Sequence, residues 1–145
     1  MYPGSEPLDV PFLIRLIYDA IGRASNQELK PIDLTYSQSM VLACLRLRQG
    51  KPASVSEIQE FMEISHPTAL GLVRRLEKKG FVHIVVDPQD RRARLVILDE
   101  EKEKMFAEGE RRRFLMEKRL LQGLSDEEQA QFRALLTKVY HNVIE

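Results

Sequence analysis

The chain is short of the features that announce most chemistry. Its 145 residues contain one cysteine, Cys44, which excludes an intramolecular disulfide and a cysteine-only metal site. No apolar run approaches the ~18 residues of a membrane span. The opening MYPGSEPLDV lacks a basic segment leading into an apolar one, so no secretory signal is expected and a cytoplasmic location is. Three histidines, His66, His83 and His141, are scattered along the chain. No HExxH, phosphate-binding glycine loop or nucleophile–base pair accompanies them, so the chain is not expected to be an enzyme, and no metal or cofactor is expected. Net charge is missing too, with 22 basic and 22 acidic side chains.

The distribution of that charge is uneven. Residues 65–98 carry a balance of +4, whereas residues 1–64 and 99–145 carry −2 each. A local field of one sign matters more to a polyanionic partner than the total does. Hydrophobic residues make up 43% of the chain, enough for a folded core. The length suits one domain, or a small domain with appended helices.

The basic stretch has the clearest pattern. Ser65 is a helix cap, Pro67 stands in the first turn, and Gly80 ends the helix behind Lys78 and Lys79. Ala69, Leu72, Val73 and Leu76 repeat at helical spacing and predict one buried stripe. His66, Thr68, Leu70, Gly71, Arg74, Arg75 and Lys78 occupy the other faces. Two alternating segments follow, Phe81–Val86 and Ala93–Leu98. They flank the turn-forming Asp87-Pro88-Gln89-Asp90, with Arg91, Arg92 and Arg94 at or beside the tip. Alone, this would fit an ordinary helix and hairpin with solvated charges. Upstream, Ser54-Val55-Ser56-Glu57 reads as a capping box opening a short helix. Val55, Ile58 and Met62 are its expected inward side chains, with Phe61 a further candidate. Only Glu63 and Ile64 separate that helix from Ser65, which gives the spacing of a helix-turn-helix with a wing.

The flanks are helical. Val10 to about Glu28 carries a broad apolar face, including Leu13, Ile14, Leu16 and Ile17, which serves either a core or a subunit contact. Thr35-Tyr36-Ser37-Gln38 is a capping box for a helix ending near Gly50, inside which Cys44 reads as a small core residue. Lys51-Pro52-Ala53 is a connector or a minimal third strand. Asp99 is expected to cap a charged helix through about Leu121, with Gly109 marking a bend. Ser125-Asp126-Glu127-Glu128 is a capping box for a last helix whose apolar members run from Phe132 to Val143. The predicted fold is mainly α with a small β-wing. An arm and dimerisation helix span residues 1–34, the winged helix-turn-helix spans 35–98, and C-terminal dimerisation helices span 99–145.

These segments resemble the MarR family (multiple antibiotic resistance regulators) of transcription factors over about residues 10–143. LTYSQSMVLACL is similar to the family's LTxxQxxvLxxL helix start, and SVSEIQEFMEIS to its helix-turn segment. SHPTALGLVRRLEKKGFV is similar to its recognition helix, and DPQDRRARLVIL to its wing, whose D-x-R falls on Asp90 and Arg92. The chain departs from the pattern at Glu63, at Gly71 and after Leu98. The resemblance implies a homodimer that binds a pseudo-palindromic operator in double-stranded DNA. It also implies release by a small aromatic or anionic effector, for which Arg15, Tyr18 and Tyr36 are the available candidates.

On that reading Ser65, Thr68 and Arg74 reach the major groove with His66 and Pro67 close by, and Arg75, Lys78 and Arg91 meet phosphates. Arg92 enters the minor groove, its guanidinium oriented by Asp90 two residues earlier on the same strand face. A winged helix that binds protein rather than DNA is the alternative. It would need an apolar outer helix face, towards which Leu70 and Gly71 lean.

Overall fold

The structure, a computed structural model, describes residues 8–144, with the backbone alone for Glu103 and Phe106. The expected N-terminal arm therefore lies outside the described residues except at its last two positions. One of those is a cap. Asp9 Oδ1 accepts the Phe12 N–H at 2.8 Å and starts α1 (Val10–Leu29). Pro11 sits in the first turn, where a missing N–H costs nothing. A 3-10 turn at Lys30–Ile32 and a left-handed Asp33 (φ 55°) redirect the chain into α2 (Tyr36–Leu47).

Three capping boxes form as the spacing predicts. Thr35 and Gln38 exchange both bonds at the start of α2, at 3.2 and 3.1 Å. Ser54 and Glu57 do so at α3 (Val55–Met62), at 3.0 and 3.4 Å. Ser125 and Glu128 do so at α6 (Asp126–Val143), at 3.1 and 3.0 Å. Each box satisfies two backbone donors that a bare helix start leaves unpaired.

The connector after α2 does form a third strand. β1 (Ala53–Ser54), β2 (Val82–Val86) and β3 (Arg94–Leu98) make an antiparallel sheet in the order β1-β3-β2. Ala53 pairs with Val96, and Val96 with Ile84. Between β1 and β2 lie α3 and α4 (His66–Lys78). The stripe predicted on α4 is buried: Ala69, Val73 and Leu76 are fully enclosed and Leu72 nearly so. They pack in one core with Val41 and Leu45 of α2, Ile58 of α3, and Phe81, Val82 and Val96 around the sheet. Full burial of a Val, Leu or Phe side chain is worth about 1.5–3 kcal/mol, so this cluster holds the lobe together. Cys44 is inside the same core.

Several expectations need correction. Phe61 is not inward: it is 45% exposed, because α3 ends one residue later and its buried face is set by Val55 and Ile58. The strands begin one residue later than the alternation suggested, at Val82 and Arg94. Asp99 does cap, its Oδ1 accepting the Glu101 N–H at 2.9 Å, but what it caps is a 3-10 turn at Glu100–Lys102. The α-helix proper, α5, runs Glu103–Leu120 and is continuous through Gly109.

The chain forms two compact units, one ending at Arg113 and the other starting at Phe114. In the first, Arg112 donates through Nη1 to the Glu28 carbonyl and through Nε to Glu108 at 2.9 Å, tying the middle of α5 to the end of α1. In the second, Arg133 of α6 pairs with Glu117 of α5. No described helix is long and apolar enough to cross a membrane.

Gly109 gives a direct stability test. A methyl group there would meet no atom within 4 Å, and glycine inside a helix costs about 0.5–1 kcal/mol relative to alanine. Gly109→Ala is therefore expected to raise the urea midpoint by an amount equivalent to that gain. A lowered midpoint would show that the glycine serves a conformation the helix does not display.

Candidate nucleic-acid interface

Burial of one face of α4 decides what the others present. At 3.6 residues per turn, enclosing positions 69, 72, 73 and 76 leaves 66–68, 74, 75 and 78 outward. Ser65, His66, Pro67, Thr68, Arg74, Arg75, Lys78, Asp90, Arg91 and Arg92 are all exposed. The helix start is tightly organised. Ser65 Oγ accepts the Thr68 N–H at 3.3 Å and shares a second hydrogen bond with the Thr68 hydroxyl at 2.8 Å. His66 Nδ1 lies 3.1 Å from Gln59 Oε1, so α3 orients the first ring of α4. Gln59 carries no mark of this role in the residue pattern, being one polar position on a short helix. The positive end of the helix dipole adds to this polar cluster.

At the other end, Lys79 is structural. Its ammonium donates to the Asp33 carbonyl at 2.8 Å and to Gln38 Oε1 at 2.9 Å. Gln38 thus accepts from the capping-box backbone and from α4 together, and it is itself buried. Leu70 packs partly against the core, which removes it from any outer apolar face. Gly71 has room for a side chain, the nearest atom being the Arg75 guanidinium at 3.7 Å.

The wing stands beside α4. Arg74, Glu77 and Leu70 of the helix share a cleft of about 240 Å³ with Ile84–Val86 and Arg94 of the strands. The tip is closed by hydrogen bonds from Asp87 N–H to the Ala93 carbonyl at 3.1 Å and from Ala93 N–H to the Asp90 carbonyl at 2.9 Å. Asp90 and Arg92 lie in this turn and not on the strand, so the shared-face geometry does not apply. The Asp90 carboxylate accepts the Arg92 backbone N–H at 3.0 Å, which fixes the turn and leaves the guanidinium outward. Arg94 folds back, donating to the Arg91 carbonyl at 3.2 Å.

Ion pairing separates the arginines of this surface from most of the others. Six arginines elsewhere (15, 46, 48, 111, 112 and 133) have carboxylate partners. Among the described residues, Arg74, Arg75, Lys78, Arg91 and Arg92 have none. The only acid on α4, Glu77, instead accepts a backbone N–H, that of Ile84 on β2, at 3.0 Å.

A model of the MarR family matches residues 34–93. The Bacillus subtilis HTH-type transcriptional regulator YwoH, uncharacterized, is 33% identical over 115 residues, covering 79% of this chain and 82% of the relative. The chain belongs to the MarR family. Among solved structures, Staphylococcus aureus MepR in its DNA complex superimposes with a TM-score of 0.88 at 27% identity, over 94% of this chain and 99% of that one. The transcriptional regulator SlyA gives 0.84 at 26%, over 94% of each. MarR proteins are transcriptional regulators, and the family model matches the winged lobe from just before α2 to the wing tip, ending ahead of β3.

Within this MarR chain the three effector candidates are not gathered. Arg15 is exposed beside Asp19, at 3.8 Å, and Tyr18 is 67% exposed. Tyr36 lines a crevice with Glu28, Leu29, Arg112 and Arg113 whose free volume is only about 10 Å³. Tyr18 and Glu28 are ten residues apart on α1, about 15 Å along the axis. A larger cavity, about 650 Å³, opens where the end of α2 meets the end of β3, lined by Arg46, Lys51, Leu98, Asp99 and Glu100 among others. Arg46 Nη1 is 3.1 Å from Glu110, an ion pair without hydrogen-bond geometry. Burial pushes the Cys44 thiol up, against the opposing pull of Arg48, so little nucleophilic thiolate forms.

Asp99, on the cavity rim, also anchors the wing. His83 Nε2 lies 2.7 Å from its Oδ2, joining β2 to the end of β3. That hydrogen bond chiefly, with help from the Glu101 N–H, holds the Asp99 carboxyl below the usual aspartate range despite partial desolvation. A lowered folded-state pKa contributes stability that is complete above the unfolded value and is lost as pH falls through the folded one. Asp99→Ala is expected to be less stable than wild type at pH 7 and to lose less stability on acidification below about pH 4. Parallel acid-unfolding curves for the two proteins would contradict this.

Proposed function

We propose that the chain is a homodimeric repressor that binds a pseudo-palindromic operator in double-stranded DNA and is released by a small-molecule effector. The observation that carries the DNA reading is the set of five exposed cations without carboxylate partners on α4 and the adjoining wing. Unpaired cations on one face release counterions when they meet phosphates, which is the main source of affinity for a duplex. Ser65, Thr68 and Arg74, with His66 and Pro67 beside them, meet the major groove. Arg75, Lys78 and Arg91 meet backbone phosphates, which position without reading sequence. Arg92 enters the neighbouring minor groove, where a flat, weakly hydrated guanidinium suits a narrow site. Asp90 contributes by holding the turn that presents it. The DNA-bound state of MepR, a structural neighbour, supports the same use of this fold.

A second copy supplies the symmetry. α1 exposes Leu13, Ile14 and Ile17, and α6 exposes Leu135, Leu136 and Val139. Apolar faces of this extent are the kind that association buries, and two-fold pairing presents two recognition helices to half-sites about one DNA turn apart. The cavity of about 650 Å³ in the winged lobe is of a size that holds a small molecule, and its mixed charge suits an anionic or polar one. Arg15, Tyr18 and Tyr36 enter such a site only if the second copy brings other groups to them.

Two measurements test this. Sedimentation is expected to show a dimer at micromolar concentration, and a monomer of unchanged helicity would rule the assembly out. Arg92→Ala is expected to fold and associate normally while losing roughly 1–3 kcal/mol of operator affinity at fixed salt, the scale of one good groove contact. Full affinity in that variant would leave the wing arginine as a solvated surface charge.

A further inference from the structure

We propose that Glu77 is a positioning residue that sets the angle between the recognition helix and the wing, and so raises sequence discrimination while lowering overall affinity for DNA. The proposal rests on the DNA-binding reading above. Glu77 is an acid where local electrostatics disfavour one. It lies among Arg74, Arg75, Lys78 and Lys79, on the exposed side of the helix meant to face phosphates. It is also in the last turn of α4, where the helix dipole favours cations. A carboxylate at this point repels the duplex, so its contribution has to come from what it holds.

What it holds is the wing. Its Oε2 accepts the Ile84 N–H at 3.0 Å. Ile84 is the middle residue of β2, the strand at one edge of the β1-β3-β2 sheet, and its N–H points away from β3. The corner between α4 and β2 is closed by backbone bonds from Gly80 N–H to the Glu77 carbonyl and from Phe81 N–H to the Leu76 carbonyl, both 2.9 Å. Those bonds fix the chain only as far as Phe81. Glu77 extends the fixation three residues further, past the left-handed Gly80 (φ 84°) and up the strand. Among the described residues no other hydrogen bond joins α4 to residues 82–98. Without it the hairpin is held at its root by the packing of Val82, Ile84 and Val96 and by pairing with β1, contacts that fix its angle to α4 less closely than a directed hydrogen bond, and a small swing there is multiplied at the tip that carries Arg91 and Arg92. A wing that swings still attracts phosphates. It no longer delivers its arginine to one register relative to the helix.

The test compares Glu77→Gln, which keeps a carbonyl acceptor and loses the charge, with Glu77→Ala, which loses both. Affinities are measured at fixed salt for a duplex selected from random DNA by the wild-type protein and for a scrambled duplex of equal length. Glu77→Gln is expected to bind both more tightly by a similar factor, leaving their ratio as in wild type. Glu77→Ala is expected to gain on the scrambled duplex and not on the selected one, lowering the ratio roughly tenfold, the scale of one lost groove contact. If the effect runs through the wing, adding Arg92→Ala to Glu77→Ala lowers the ratio no further than Arg92→Ala does alone, a non-additivity that general destabilisation would not produce. A ratio within twofold of wild type in Glu77→Ala, or full additivity with Arg92→Ala, overturns the proposal while leaving DNA binding intact. A wild-type protein that selects no sequence overturns the DNA reading and this one together.

Discussion

The enclosure of one stripe of α4 is the constraint on which the lobe depends. Ala69, Leu72, Val73 and Leu76 reach the centre of the core and touch elements from both sides of it, α2 and α3 on one hand and the sheet on the other. A helix held by four buried positions over two turns cannot roll about its axis without exposing them. Its outward surface is therefore set by packing and needs no partner to define it. Both ends are also fastened, through Gln59 to His66 at the start and through Lys79 to Asp33 and Gln38 at the finish. The helix proposed to meet the partner is thus anchored along its buried face and at both ends, which suits recognition by shape and hydrogen-bond geometry.

Electrostatics follow the same division. Across the first unit, carboxylates neutralise arginines in local pairs: Glu57 with Arg48, Glu108 with Arg111 and Arg112, Glu110 with Arg46. The zero net charge of the chain hides this partition, because acids and bases cancel in the sum whether or not they touch. Near the wing the arginines stand without carboxylate partners, whereas most arginines elsewhere among the described residues are held in pairs. Exposed pairs of this kind add little stability, and their main effect is to damp the positive field around the arginines they hold.

What was legible in the sequence was what short-range rules govern. The capping boxes at Thr35, Ser54 and Ser125 are set by positions three apart, and all three form. The α4 stripe depends on helical period alone, and it is buried as the period requires. The wing follows from alternation around a turn cluster. The misses need information from further away or from finer geometry. Phe61 fits the apolar period, but α3 is too short to cover it. Asp90 and Arg92 are two apart, yet they fall in the turn, where a short carboxylate finds the nearest backbone N–H before any guanidinium. The roles of Lys79 and Glu77 depend on long side chains crossing to other elements. A lysine and a glutamate in a charged run carry no mark of that in the sequence.

The bond from Glu77 to β2 has one further result. A strand at the margin of a sheet displays backbone donors and acceptors that another chain can adopt as a template, and hydrophobic margins of this kind seed aggregation. β2 is such a margin, and its sequence, Val-His-Ile-Val-Val, is rich in β-branched residues. The opposite margin, β1, is only two residues long and offers little to pair with. By occupying the N–H at the midpoint of β2, Glu77 removes the central rung of the ladder an incoming strand would build, and its charge meets that strand first. The carboxylate that accepts from Ile84 thus also covers part of the one extended sheet edge among the described strands.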